Sequence, residues 1–144
     1  MALLPEEIKP AMQGVIPSDV VTCARDGTPN TTAISQVYYV DADHVALSHQ
    51  FFNKTVRNVR ENPRAAVWLI SPKTFDSWDL EVEFERSETS GPVFETMDMQ
   101  VEAIASMVGM KGIFKLRAAD IYRVISVTKN VDERISLGEI ADGR

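Results

Sequence analysis

One passage gathers the side chains best suited to hold a ligand. It runs Ser48-His49-Gln50-Phe51-Phe52-Asn53-Lys54-Thr55 and continues through Arg57 and Asn58. Over residues 54–62, Val56 and Val59 lie three apart among the polar Arg57, Asn58, Arg60 and Glu61, which is the pattern of a short amphipathic helix. Asn53 is a good N-cap and Asn62-Pro63 a good stop. A helix start presents unpaired backbone N–H groups and a positive dipole end, which suits an anion. Lys54 adds a point charge and Thr55 a hydroxyl donor. Phosphate is the anion such a set fits best. The same residues also make an ordinary capped helix with surface cations, and spacing alone leaves both readings open.

Charge distribution singles out the same place. The chain of 144 residues has 15 Lys+Arg against 21 Asp+Glu, a net charge of −6 that argues against a general nucleic-acid binder. Residues 76–102 carry Arg86 as their single base among many acids. Residues 53–64 instead hold Lys54, Arg57, Arg60 and Arg64 with Glu61 as the one acid. A basic island in an acidic protein is a place for a small anionic ligand, or a solvated helix face.

The other candidates carry less. His44 and His49 show no metal-binding spacing, although either could serve as a single axial haem ligand. The lone cysteine, Cys23, excludes a disulfide framework and reads as a small buried hydrophobe. No nucleophile elbow, Walker A or dinucleotide-binding glycine motif is present. No stretch approaches the roughly 20 apolar residues of a membrane helix, and the acidic start lacks the character of a secretory signal. A soluble, cytoplasmic single domain is therefore expected, with residues 1–129 as the domain and 130–144 as a polar tail or the start of a linker.

The elements that must position the passage are mostly strands. Residues 5–14 read as a short helix with Glu6 and Glu7 near its positive end. Residues 15–25, 30–40 and 44–49 read as three strands of an antiparallel meander, joined by turns at Asp26-Gly27 and Asp41-Ala42-Asp43. Residues 65–70 form an apolar run expected to be buried on both faces. Residues 78–88 alternate: Trp78, Leu80, Val82 and Phe84 point one way, Asp79, Glu81, Glu83 and Glu85 the other. An acidic outer face protects a sheet from sticking to its neighbours. After Gly91-Pro92 a longer helix is predicted from Phe94, Met97, Val101, Ile104 and Val108, closed by Gly109, with Met97 and Met107 as packing residues. Residues 113–116 and 121–127 read as two final strands around a corner at 117–120. The count is about six to seven strands and two or three helices without βαβ alternation. That is a mainly β (α+β) domain, an antiparallel barrel with flanking helices.

The ordered set of motifs resembles the pyridoxamine 5'-phosphate oxidase-like family of FMN-binding split β-barrels. The set comprises the turn Asp26-Gly27-Thr28-Pro29, a strand, an Asp-rich turn and a further strand. It ends with Lys54, Thr55, Asn58, Val59, Asn62, Pro63 and Arg64 in the family's spacing. The resemblance implies an FMN phosphate held by Lys54 and Thr55 with Asn53 and Ser48. It also implies a flavin ring along the backbone of Thr32, Ala33, Ile34 and Ser35, with His49 nearby. It implies a homodimer with flavin at the interface, acting as an oxidoreductase on a small molecule; the charge balance and the lack of a membrane-length apolar run leave no nucleic acid or membrane partner expected. Asn53 stands where true pyridoxamine phosphate oxidases usually carry Arg, and no C-terminal Trp, Arg and His segment follows Val127, so vitamin B6 oxidation is not expected. The alternative is a non-catalytic sensor module of a longer protein, holding flavin, haem or a deazaflavin.

Overall fold

A computed structural model describes residues 3–12, 16–34, 36–49, 54–109, 112 and 115–130. Its strands are β1 (Ser18–Cys23), β2 (Pro29–Ile34), β3 (Val37–Asp41), β4 (His44–His49), β5 (Arg64–Ile70), β6 (Ser77–Glu88) and β7 (Ala118–Asn130). They form one seven-stranded sheet in the order β2-β1-β5-β6-β7-β4-β3, and every pairing is antiparallel. A 3-10 helix (Glu6–Met12) and two α-helices, α1 (Lys54–Glu61) and α2 (Pro92–Met107), complete the mainly β architecture.

Period-two alternation decides which face of each strand goes inside. In β6, Trp78, Leu80 and Val82 are buried while Asp79 and Glu81 are exposed. Val20 of β1, Val37 of β3, Val45 and Leu47 of β4, and Val67 and Leu69 of β5 join them in one cluster. Tyr122 and Val124 of β7 complete it, with Ile34 of β2 packed alongside. The two edge strands, β2 and β3, can share a cluster with the central strands only if the sheet rolls up around it, as in a split barrel. The rolling has a local cause: the β6–β7 ladder shifts register between Glu81 and Val82 and again between Phe84 and Arg86, and such bulges increase twist and bend the strand. Outside the barrel, Met97 and Val101 of α2 cover Ala46 of β4 and Ala119 and Ile121 of β7.

The acidic outer row of β6 is paired rather than bare. Arg64 of β5 bonds Glu81 and, at 3.0 Å, Glu83, while Arg123 of β7 lies 3.6 Å from Glu83. These cross-strand pairs are exposed, worth at most about 1 kcal/mol each, and fix register more than stability.

Several sequence expectations are corrected. Residues 30–40 are two strands, because β2 pairs with β1 whereas β3 pairs with β4 at the far edge of the sheet. The inward parity changes from Thr32 and Ile34 to Val37, and no Gly or Pro marks the break. The meander is therefore two hairpins at opposite ends of the sheet. Of the last two expected strands only the second forms, as β7, which starts at Ala118 and so takes in most of the corner expected at 117–120; residues 115 and 116 belong to no strand, and 113 and 114 lie outside the described residues. In β5, Ala66 is exposed, so the strand is buried on one face only. The first helix is a 3-10 turn with Pro10 inside it, and its expected end at Gly14 lies outside the described residues. Met107 is 85% exposed and does not pack. The proposed 130–144 tail lies outside the described residues beyond Asn130.

Leu80→Ala should cost about 3 kcal/mol, the usual range for a fully buried leucine, and Met107→Ser less than about 0.5 kcal/mol. Urea denaturation of the two variants would check this; equal midpoints would contradict the assigned core.

Candidate functional site

The start of α1 is held against the sheet by three kinds of contact. Val56 and Val59 are buried beneath it. Asn58, also buried, donates from Nδ2 to Thr22 Oγ1 of β1 at 3.0 Å. Thr55 accepts from Asn30 Nδ2 at 3.2 Å and donates to Thr32 Oγ1 of β2 at 3.4 Å. Asn58 is thus a docking residue, and its side chain does not reach out to an anion as the sequence allowed. Lys54, Arg57 and Arg60 remain exposed and form no ion pair among the described residues, whereas Arg64 is engaged by β6. The basic island is in effect three cations on one face-to-solvent helix.

Beside this helix start lies a cavity at the open end of the barrel. Thr32 and Ile34 of β2 line one side and Ser48 and His49 of β4 the other, with Thr55 and Val56 of α1 between them. Val20, Leu47, Asp120 and Tyr122 form its floor. Its enclosed space is only about 30 Å³, room for a water molecule but not for a planar cofactor, so a larger ligand would have to lie across its mouth. Because β2 is an edge strand, part of its backbone hydrogen-bonding capacity faces away from β1 without another strand among the described residues.

Of the residues singled out in the sequence, Thr32, Ile34, Ser48, His49 and Thr55 converge on this cavity. Ala33 is exposed on the opposite face of β2, so only its backbone is available there. Lys54 stands exposed at the first position of α1. Ser35 and Asn53 lie outside the described residues.

Asp120 was missed, and it is the most unusual group in the site. It is 6% exposed and lies 4.0 Å from His49 Nδ1 through Oδ2, while its Oδ1 accepts from Ser87 Oγ at 2.6 Å. Burial pushes its carboxyl above the usual range, against the opposing pull of the Ser87 bond and of the His49 and Arg60 charges. Burial, with the neighbouring Asp120 charge, also raises the Tyr122 phenol, which stays neutral. One signal was readable: Asp120 sits between Ala118-Ala119 and Ile121-Tyr122, an acid inside an apolar strand.

The two histidines separate cleanly. His44 is tied at both ring nitrogens, Nδ1 to Asp41 and Nε2 to Glu85, each at 2.9 Å. His49 lines the cavity, and its Nε2 is buried without a partner.

A family model described as pyridoxamine 5'-phosphate oxidase matches residues 4–125. The chain belongs to the pyridoxamine 5'-phosphate oxidase-like family. Solved structures similar to this member include an FMN-binding protein of Syntrophomonas wolfei, with a TM-score of 0.71, 16% identity and 86% of each chain covered. An F420 reductase matches with a TM-score of 0.59 and 16% identity, over 87% of this chain and 98% of that one. The heme-storage protein HutZ of Vibrio cholerae matches with a TM-score of 0.58 and 14% identity, over 91% and 98%. Among curated proteins, an uncharacterized protein of Methanocaldococcus jannaschii is 36% identical over 50 residues, which are 33% of this chain and 34% of that protein. That match spans about a third of the relative's length. The family match and these neighbours agree on the split-barrel fold, and the neighbours' names divide among FMN, F420 and heme. Within the described residues, no helix is long and apolar enough to cross a membrane, and no cluster of metal-ligating side chains is present.

The His44 contacts give a pH dependence. Partial burial works against its charge, but the bonds and charges of Asp41 and Glu85 outweigh this and hold its pKa above the ordinary 6.5. A raised folded pKa adds stability that is complete below that ordinary value and lost as pH rises through the folded one. The melting-temperature advantage of wild type over His44→Gln should therefore shrink as pH rises from about 6 to about 9. An advantage that is constant over this range would contradict the paired, protonated ring.

Proposed function

We propose that the chain binds FMN and uses it as an oxidoreductase on a small substrate. The observation that carries the reading is the convergence on one cavity of an edge strand and a helix start whose first residue is the exposed cation Lys54. Lys54 and the first N–H groups of α1 would hold the phosphate, with Ser48 beside them. A phosphate oxygen would take over the long 3.4 Å bond that the Thr55 hydroxyl now gives Thr32. The edge of β2, from Thr32 to Ile34, would lie along the ring, offering backbone N–H and C=O groups to its polar rim. Ser35 and Asn53 belong to the proposal by family resemblance. Bound there, the flavin would supply the electron-transfer chemistry, while the chain binds, orients and shields it.

We also infer that a second copy completes the site. The cavity encloses too little space for the ring. The outer face of β1 leaves Val21 36% exposed beside the exposed Ala33 and Ala66 of its neighbours. A homodimer seated there would cover both the face and the ligand. Vitamin B6 oxidation is not part of the proposal, since Asn53 stands where the resemblance leads one to expect Arg.

A second reading is binding without turnover, of heme in particular. The unpartnered, buried Nε2 of His49 is the specific feature that favours it, because a heme iron could take that nitrogen as axial ligand. A Soret band after hemin addition that vanishes in His49→Ala would establish it.

Titration of FMN fluorescence tests the first reading. Lys54→Ala should weaken binding by about ten- to a hundredfold, the range for a lost charge-assisted phosphate bond, with an unchanged melting temperature. Equal affinity in variant and wild type would remove the phosphate assignment. Reduction of the bound flavin by NADPH or NADH under nitrogen is expected for the enzyme and absent for a simple binder.

A further inference from the structure

A buried polar nitrogen without a partner costs about 1–3 kcal/mol, and folded proteins keep few of them. His49 Nε2 is one, on a ring that lines the cavity. Behind the same ring stands Asp120, buried and fixed in orientation by a short 2.6 Å bond from Ser87 Oγ of β6. The 4.0 Å from Asp120 Oδ2 to His49 Nδ1 is longer than a hydrogen bond, but close enough for the carboxylate to orient the ring. Three strands supply this line of groups: Ser87 from β6, Asp120 from β7 and His49 from β4. In register, Ser87 pairs with Asp120, and Asp120 with Leu47, two residues before His49.

We propose that His49 presents Nε2–H through the cavity to an acceptor atom on the ring of the bound cofactor, and that Asp120, held by Ser87, is its positioning residue. This rests on the flavin reading above for the identity of the ligand, but not for the pairing of Asp120 with His49. An N–H donated to the ring stabilises negative charge where electrons would accumulate and favours the reduced ring. The charged and titratable groups around the ring are Asp120 and Tyr122 of β7 and Arg60 of α1, whose charge acts on Asp120. The arrangement is costly for the empty protein. A carboxyl whose folded pKa lies above its unfolded one loses stability as pH rises through that interval, so the buried Asp120 carboxyl works against the fold once it ionises. A group kept at such a cost suits a ligand-facing role better than a structural one.

Asp120→Asn separates the two roles, because the amide still accepts from Ser87 and fills the same space. At pH 7 the ligand-free variant should melt at or above the wild-type temperature yet bind FMN several-fold more weakly. A variant that melts lower and binds as tightly as wild type would assign Asp120 to the fold alone and overturn the proposal. His49→Ala should lose about tenfold in FMN affinity, and His49→Gln, whose amide nitrogen can reach the same place, should recover most of it. Equal affinity in His49→Ala and wild type would also overturn it. If wild type takes up no FMN, the flavin reading fails by itself, and ¹⁵N spectra of the His49 ring in ligand-free protein decide the pairing. Ring shifts altered by Asp120→Asn uphold it, and unaltered shifts refute it.

Discussion

Twelve residues of β6 run against thirteen of β7, and this long ladder breaks register twice on the way. Each break bends the pair, and the sheet closes around Trp78, Leu80, Val82 and Tyr122 as a result. The rest depends on that curvature. It brings β2, at one edge of the sheet, to face β4 near the other, and the gap between them is the cavity. α1 then plugs the gap from the side, anchored by Val56, Val59 and the Asn58–Thr22 bond. A flat sheet of the same seven strands would hold Thr32 and His49 far apart and would have no site.

The site itself combines a solvated half and a dry half. Lys54, Arg57 and Arg60 stand in water, where a phosphate can be attracted and exchanged without desolvating a buried charge. Asp120, Tyr122 and the His49 ring sit under the barrel rim, where a single misplaced proton matters. The division suits a ligand with a charged tail and a flat, polar-edged ring.

Much of this was legible in the sequence where a local signal matched a local structure. The alternation of residues 78–88, the Asp26-Gly27 turn, the helix stripe of Val56 and Val59 and the cation at Lys54 all report short-range physics. What was not legible depends on distant strands. Nothing at residues 35 and 36 announces that β2 and β3 part company, since neither Gly nor Pro stands there and only the parity of Ile34 and Val37 records the change. Asp120 looked like part of a corner because its partners, Ser87 and His49, lie 33 and 71 residues away in sequence and meet it only through strand pairing. His44 and His49 are indistinguishable by type, and the structure separates them through Asp41, Glu85 and the cavity.

We propose that the mouth of this barrel holds FMN by its phosphate and ring together. The most direct test is an absorbance spectrum of purified protein after incubation with FMN and passage through a desalting column. Flavin bands that stay with the protein, about one per chain, are the result expected. A colourless protein in the void volume would contradict the account and leave the Lys54–Thr55 helix start to another anion or to capping alone.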